Sequence, residues 1–323
     1  MIADKDLFLG IDVGGTSVKE GLFTKTGELL GKVSVPTPPL VDEIGYAAVT
    51  GGIRQLLSDV HAPVEALCGI GLAVPCPIPE DGEIKLQANI TLNQHGLTDA
   101  LADAFPNAAI RFENDANAAA LGEAWQGTAA GKKSMVMVTI GTGVGGGVVE
   151  NGKIISGVHG AGGEIGHMNV NPDEDRTCGC GGHGCLEQYS SATGVVNNYK
   201  IECAKHGVDP IELSGPSDSR AVFQACREGD EVAIAAMDTM AKYLGRALAI
   251  IAAVVDPEAF VLGGGASASA DVYLERLKDY YQRYALNVCR DTPIEIATLG
   301  NDAGIIGAAY VALQAAYSAL QSA

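Results

Sequence analysis

Between Glu164 and Glu187 the chain sets His167, Cys178, Cys180, His183 and Cys185 in a glycine-rich run with a glutamate at either end. Three thiols and one imidazole are the donor set of a closed tetrahedral Zn²⁺ site. His167, Cys178, Cys180 and Cys185 are the expected ligands, and His183, between Cys180 and Cys185, is the alternative fourth. A metal that pins a loop at four points would hold Glu164 and Glu187 as fixed acceptors, as recognition of a polyol's hydroxyls requires. A disulfide is the competing use of close cysteines. The chain opens Met-Ile-Ala-Asp-Lys-Asp with no apolar signal segment, so a reducing cytoplasmic setting, and hence metal, is expected. Cys68, Cys76, Cys203, Cys226 and Cys289 are scattered and read as small core residues.

Three glycine turns offer a second kind of chemistry: Asp12-Val13-Gly14-Gly15-Thr16, Thr139-Ile140-Gly141-Thr142-Gly143 and Gly263-Gly264-Gly265. Glycine lets backbone amides point inward at close range, and such nests bind phosphate oxygens. Asp12 ends an apolar run and is placed to hold Mg²⁺ beside those phosphates, directly or through water. Gly141-x-Gly143-x-Gly145 resembles a dinucleotide fingerprint, but that motif must open a helix. Here it runs into Val148-Val149 and an Asn151-Gly152 turn, which is hairpin grammar. No glycine turn ends in Gly-Lys-Ser or Gly-Lys-Thr, so the Walker phosphate loop is excluded too. The hairpin-type phosphate grip of actin-like folds remains.

Glu113-Asn114-Asp115-Ala116-Asn117 follows a short strand and precedes an alanine-rich helix. Asn114 or Asp115 there could simply cap the helix. Functionally, Asp115 at the strand end would act as general base on a hydroxyl.

These groups need a scaffold, and 323 residues exceed the size of most single cores, so two lobes are expected. Hydrophobic content of 47 % with 42 glycines and no long apolar run describes a globular chain rich in tight turns. The formal charge of -18 argues against nucleic-acid or membrane-surface partners, which need a basic face. Strands are expected at 7–12, 18–23 and 29–35 as a meander, and the same grammar returns at 134–140 and beyond. Matching openings suggest a duplicated fold without sequence repeat. Further expected elements are a strand at 109–112, helices at 101–105, 116–125, 232–255 and 304–320, and a buried strand at 259–262.

Together these motifs resemble the ROK family of bacterial sugar kinases and repressors, most closely its ATP-dependent glucokinases, over essentially the whole chain. The family's phosphate motifs match Asp12 with Gly14, Gly15, Thr16 and Lys19, then residues 139–147. Its catalytic pattern matches Asn114-Asp115-Ala116-Asn117, followed by Ala119 through Glu123; its zinc and sugar signature matches Glu164, His167, Cys178, Cys180, Cys185 and Glu187.

The resemblance implies an α/β, two-lobed actin-like (ribonuclease H-like) sugar kinase fold with a zinc-binding loop. It implies a small lobe of 1–117 plus 306–323 and a large lobe of 118–305 carrying the zinc site and a dimerisation surface, the lobes closing over the sugar. Asp115 is then the base; Asn89, Asn114, Glu164, His167 and Glu187 bind sugar hydroxyls; Asp12, Gly14, Gly15, Thr16, Lys19, Gly141, Thr142 and Gly143 serve ATP and its Mg²⁺; and Gly264 and Gly265 contact the adenosine end. Zn²⁺ would be structural.

Two positions depart from the family pattern. Cys76 stands in Val74-Pro75-Cys76-Pro77 where a glycine is usual, and the loop after Asn89 lacks the common tryptophan. Glucose is the expected acceptor, with N-acetylglucosamine, N-acetylmannosamine, fructose or allose as alternatives. A sugar-sensing repressor would need a helix-turn-helix ahead of Asp12, where there is no room. A non-catalytic sugar binder is the remaining alternative. A cytoplasmic homodimer completes the expectation.

Overall fold

The computed structural model describes residues 6–79, 81–84 and 90–322. β1 (Leu7–Val13), β2 (Ser17–Thr24) and β3 (Leu29–Pro36) form the expected antiparallel meander. α1 (Glu43–Asp59), β4 (Leu67–Val74), α2 (Gln94–Ala104), β5 (Ala109–Asn114) and α3 (Asp115–Trp125) follow. β4 pairs parallel with β1, and β5 with β4, which gives the strand order β3-β2-β1-β4-β5.

The chain then continues through β6 (Ser134–Ile140), β7 (Val144–Glu150), β8 (Lys153–Ile154), α4 (Glu187–Ser190), α5 (Ala192–His206), α6 (Ser219–Arg227) and α7 (Glu231–Val255). β9 (Phe260–Gly263), α8 (Leu274–Tyr284), β10 (Ile294–Ile296) and α9 (Ala303–Ser322) complete it. The second sheet reads β8-β7-β6-β9-β10, with β9 parallel to β6 and β10 parallel to β9. Strand for strand this repeats the first sheet, so the duplication expected from the two glycine-turn openings is present in the topology.

By compactness the chain divides into two units. The first comprises Met1–Gly131, Gly147–Gly163 and Thr298–Ala323, and the second Lys132–Gly146 and Glu164–Ala297. The first unit runs past residue 117, the bound expected for the small lobe, because α3 packs on α9. A side chain on Gly307 would strike the Ala118 carbonyl, and a Cβ on Gly122 would lie 2.5 Å from the Ala303 carbonyl.

In the first unit β1 is buried along nearly its whole length, as a strand covered on both faces must be. Leu9, Ile11 and Leu22 pack with Val49, Ile53 and Leu56 of α1 and Leu97 and Leu101 of α2. The opposite face carries Phe8 against Ala312 and Leu313, and Phe23 against Ile305 and Ala309. α9 is apolar and long enough to cross a bilayer by composition, yet half of its apolar window is buried inside the fold. Gly10 and Gly71 let α9 lie directly on the sheet, since a side chain at either would strike the Ile305 or Ala308 carbonyl. α9 is therefore a core helix.

α2 starts earlier than the expected 101–105, because the Asn93 side chain accepts the Gly96 amide and caps it. In the second unit α7 buries Met237, Met240, Leu244, Leu248 and Ile251, the spacing that marked it in the sequence. Asp256, at φ 51°, ends it just before Pro257.

Candidate functional site

In the first unit the α3 N-terminus is built around Asn114. Its side-chain oxygen accepts the Ala116 and Asn117 amides at 3.0 and 3.1 Å, and its nitrogen donates to the Cys76 carbonyl at 3.2 Å. Of the two residues that could cap this helix, Asn114 does so, and Asp115 stands exposed beside it at the start of α3. Asp115 accepts the Ala116 amide through Oδ1 at 2.9 Å.

Behind this turn the Glu113 carboxylate accepts the Asn114 amide at 2.9 Å and the Asn117 side chain at 3.0 Å. Burial pushes the Glu113 carboxyl above its ordinary range, opposed by the hydrogen bond from Asn117. Farther along α3, buried Glu123 accepts the Thr128 and Leu299 amides at 2.8 Å each, so the family-like run that ends at Glu123 is a structural lock. The Cys76 side chain is fully buried in the core, which makes it filler.

Asp12 lies at the end of β1, 3.7 Å from Lys19, whose amine also donates to the Asn301 carbonyl at 3.1 Å. Burial raises the Asp12 carboxyl and Lys19 opposes the rise. A carboxylate in that position gains from a cation, and Mg²⁺ is commonly held by one or two carboxylates plus phosphate oxygens. Asp12 fits that use. The adjoining turn is closed by the Gly14 amide on the Ser17 carbonyl at 3.0 Å and by the Thr37 hydroxyl on the Gly14 carbonyl at 2.6 Å. Gly15 and Thr16 are exposed, and Gly15 lines a cavity of about 270 Å³ with Thr37, Ile90 and Thr91. Asn89 lies outside the described residues.

In the second unit the donor atoms of His167, Cys178, Cys180 and Cys185 all lie within 4.8 Å of one another. The Cys180 and Cys185 sulfurs are 3.7 Å apart, and the His167 Nδ1 is 3.8 Å from the Cys178 sulfur. Sulfurs about 2.3 Å from a tetrahedral Zn²⁺ stand about 3.8 Å from each other, so the four residues fit the ion. His183 is not in that group; it bridges to Thr177, and its carbonyl accepts the Asn169 side chain at 2.7 Å. The loop is held by the Cys178 amide on the Gly182 carbonyl and by Gln188, which accepts the Cys185 amide and donates to the Arg176 carbonyl.

Both flanking carboxylates sit at this cluster. Glu164 Oε2 is 4.0 Å from the His167 Nε2, and Glu187 Oε1 is 4.0 Å from the Cys178 sulfur. The imidazole thus turns Nδ1 to the sulfurs and Nε2 toward Glu164.

The glycine turn between β6 and β7 lies beside Glu187, whose Oε2 accepts the Val144 amide at 3.0 Å. The turn is closed by the Gly141 amide on the Gly143 carbonyl at 2.9 Å. Gly141, Thr142 and Gly265 share a cavity of about 480 Å³, so two of the three glycine turns meet in one place. Gly264 beside it has φ 81° and lies so close to Ile140 that a Cβ would sit 2.5 Å from the carbonyl oxygen, which only glycine allows. The same cavity is walled by Ser214, Asp218 and Arg220, none of which the sequence marked. A Ser-Gly-Pro-Ser loop leading into a helix carries no distinguishing spacing.

The comparisons agree with this arrangement. Residues 8–315 match the ROK family. A glucokinase of Halalkalibacterium halodurans is 39 % identical over 95 % of this chain and 95 % of its own. An N-acetyl-D-glucosamine kinase of Salmonella gallinarum is 32 % identical over 95 % of this chain and 99 % of its own. Among solved structures, a ROK family glucokinase of Streptomyces griseus in complex with glucose and AMPPNP superposes with TM-score 0.73 at 30 % identity, covering 95 % of this chain and 99 % of that one. A family match across nearly the whole length, on an α/β fold of two like sheets with a clustered Cys₃His set, has one reading: the chain belongs to the ROK family.

Proposed function

We propose that the chain is an ATP-dependent hexose kinase that phosphorylates the 6-hydroxyl of glucose. The observation that carries this is the double use of His167. With Nδ1 turned to the cysteine cluster and Nε2 4.0 Å from Glu164, the ring presents a proton of fixed tautomer next to a carboxylate acceptor. Glu187 adds a second carboxylate at the same cluster. Paired acceptors around one fixed donor suit vicinal hydroxyls. Asn89 is assigned to the sugar as well, and Asn114 keeps one amide hydrogen for it beyond the bond to Cys76.

Asp115 takes the proton. Asn114 caps α3, and the Asp115 carboxylate, which accepts the Ala116 amide through Oδ1, stands exposed beside it. A positioned base contributes roughly 100- to 10,000-fold, and positioning with charge stabilisation supplies the rest. The bond from the sugar oxygen to the γ-phosphorus forms as the bond from that phosphorus to the β,γ-bridging oxygen breaks. ADP departs with the bridging oxygen. Gly14, Gly15 and Thr16, Gly141, Thr142 and Gly143, and Gly264 and Gly265 are assigned to the nucleotide, with Lys19 beside Asp12. Asp12 would hold Mg²⁺, which when bound neutralises charge on the phosphate oxygens. His167, Cys178, Cys180 and Cys185 would hold Zn²⁺, whose part is to brace the acceptor loop.

ADP release across glucose, mannose, fructose, N-acetylglucosamine and N-acetylmannosamine tests the assignment. Glucose is expected to give the highest kcat/KM; strong turnover of an N-acetylhexosamine with none of glucose would replace the acceptor. That second acceptor class has support in the 32 % identical N-acetyl-D-glucosamine kinase. A cytoplasmic homodimer is the accompanying assembly, open to test by sedimentation.

A further inference from the structure

The cavity that joins Gly141 and Thr142 to Gly265 holds one cation, Arg220. Arg220 is exposed and sits in the first turn of α6, capped by Asp218. A positive side chain there opposes the helix dipole, so its position does not serve the helix. Its charge reaches Asp218 only from beyond ion-pair distance. Among the described residues Arg220 makes no salt bridge or hydrogen bond, whereas Arg176, Arg227 and Arg276 pair with Glu174, Asp271 and Asp238. The nearest acid in sequence, Asp218, is already engaged: it accepts the Ser214 amide at 3.0 Å, the Ser214 hydroxyl at 2.8 Å and the Ala221 amide at 3.4 Å. Those bonds tie the 214–217 loop to the start of α6 and fix the wall on which Arg220 stands.

We propose that Arg220 binds the phosphate chain of the nucleoside triphosphate donor. This deepens the kinase reading and rests on it. The chain carries a formal charge of -18, so a polyanion entering this cavity needs a local cation, and the lining offers no other. A guanidinium meets phosphate oxygens in a forked, two-bond geometry that suits the role. The lining is glycine, alanine, serine, threonine, aspartate and this arginine, with no aromatic ring to sandwich a base. Charge, not stacking, is what Arg220 adds there. The residue acts as a binding group for the donor and takes no part in proton transfer.

The test uses Arg220→Ala and Arg220→Lys in the full chain, reading KM for ATP, KM for the hexose, and inhibition constants for ADP and adenosine. Losing a charged hydrogen bond of this kind costs about 1.5–3 kcal/mol, or roughly ten- to a hundredfold. Arg220→Ala is therefore expected to raise KM for ATP and weaken ADP by that factor, leaving adenosine inhibition, the hexose KM and the melting temperature unchanged. Arg220→Lys should recover part of the loss, since charge without the fork remains. Equal weakening of ADP and adenosine would assign Arg220 to the base and overturn the proposal, as would an alanine variant indistinguishable from the parent. A parent protein that neither binds ADP nor transfers phosphate fails at the kinase reading instead, a result visible before any variant is made.

Discussion

Glu187 Oε2 accepts the Val144 amide at 3.0 Å, which fastens the glycine turn between β6 and β7 to the short helix that follows the metal loop. Two further bonds tie the same turn to the start of α5, from the Ala192 amide to the Gly141 carbonyl at 2.8 Å and from the Thr193 hydroxyl to the Thr142 carbonyl at 3.2 Å. A side chain at Gly143 would strike the Glu187 carboxylate, so the turn and the glutamate fit each other. The cysteine-rich loop and the glycine turn therefore share one support. Glu187→Ala is expected to weaken ADP as well as hexose binding, each about tenfold or more, because the hexose loses a charged acceptor and the glycine turn loses its charged hydrogen bond through Val144. Glu187→Gln keeps an oxygen for Val144 and should spare ADP while still weakening the hexose. Calorimetry with each ligand alone reads the difference; an alanine variant that binds ADP normally would show that the strap contributes nothing.

Asp115→Asn keeps shape and removes basicity. The asparagine keeps an oxygen for the Ala116 amide, and Asn114 still caps α3 with Glu113 supporting the turn from behind. kcat should fall roughly 100- to 10,000-fold with the hexose Kd within about twofold of the parent. Retained turnover would move the base elsewhere, and lost sugar binding would make Asp115 a recognition residue.

The Cys₃His cluster predicts one Zn²⁺ per chain by elemental analysis. Stripping the ion with a chelator, or making Cys180→Ser, is expected to lower the melting temperature by about 5 °C or more. Both treatments should also raise the hexose KM, because Glu164 and Glu187 stand at the cluster edge. His183→Ala should leave zinc content at one, since His183 is outside the converging donors. Zinc loss in that variant would reinstate His183 as a ligand.

What the sequence made legible was what local chemistry dictates. The Cys₃His cluster, the two hairpin turns and α7 each carry their signal within a few residues, by donor spacing, glycine grammar or 3.6-residue periodicity. The sheet order was legible only by analogy between two openings, as strand neighbours are set by packing far along the chain. α1 went unassigned because Gly51 and Gly52 interrupt it, each costing about 1 kcal/mol against alanine in a helix. Its stability comes from Val49, Ile53, Leu56 and Leu57 in the core, and Gly52 leaves room for the Glu20 carboxylate beneath it. At the site, Asn114 and Asp115 were indistinguishable as caps, a choice that backbone geometry makes and composition does not. Arg220 carried no signal because its cavity is assembled from four separate stretches of chain.

Glu20 poses a problem of stability that pH should expose. It lies on β2 at 1 % exposure beneath Gly52, and neither carboxylate oxygen has a hydrogen-bond partner. Burial pushes its carboxyl from 4.5 up to about 8. In the unfolded chain the group ionises near its ordinary value, while in the folded chain it keeps its proton until about pH 8, so the unfolded state loses the proton first. Stability from this group is therefore whole below about pH 4.5, declines as pH rises toward 8, and is constant above; the decline is at most about 5 kcal/mol. Glu20→Met fills the site without an ionisable group. Denaturant unfolding of parent and variant should agree within about 1 kcal/mol near pH 4.5, with the variant increasingly the more stable as pH rises to 8. A difference that does not change with pH would mean that the Glu20 carboxyl titrates alike in both states and that its burial is relieved by movement of α1.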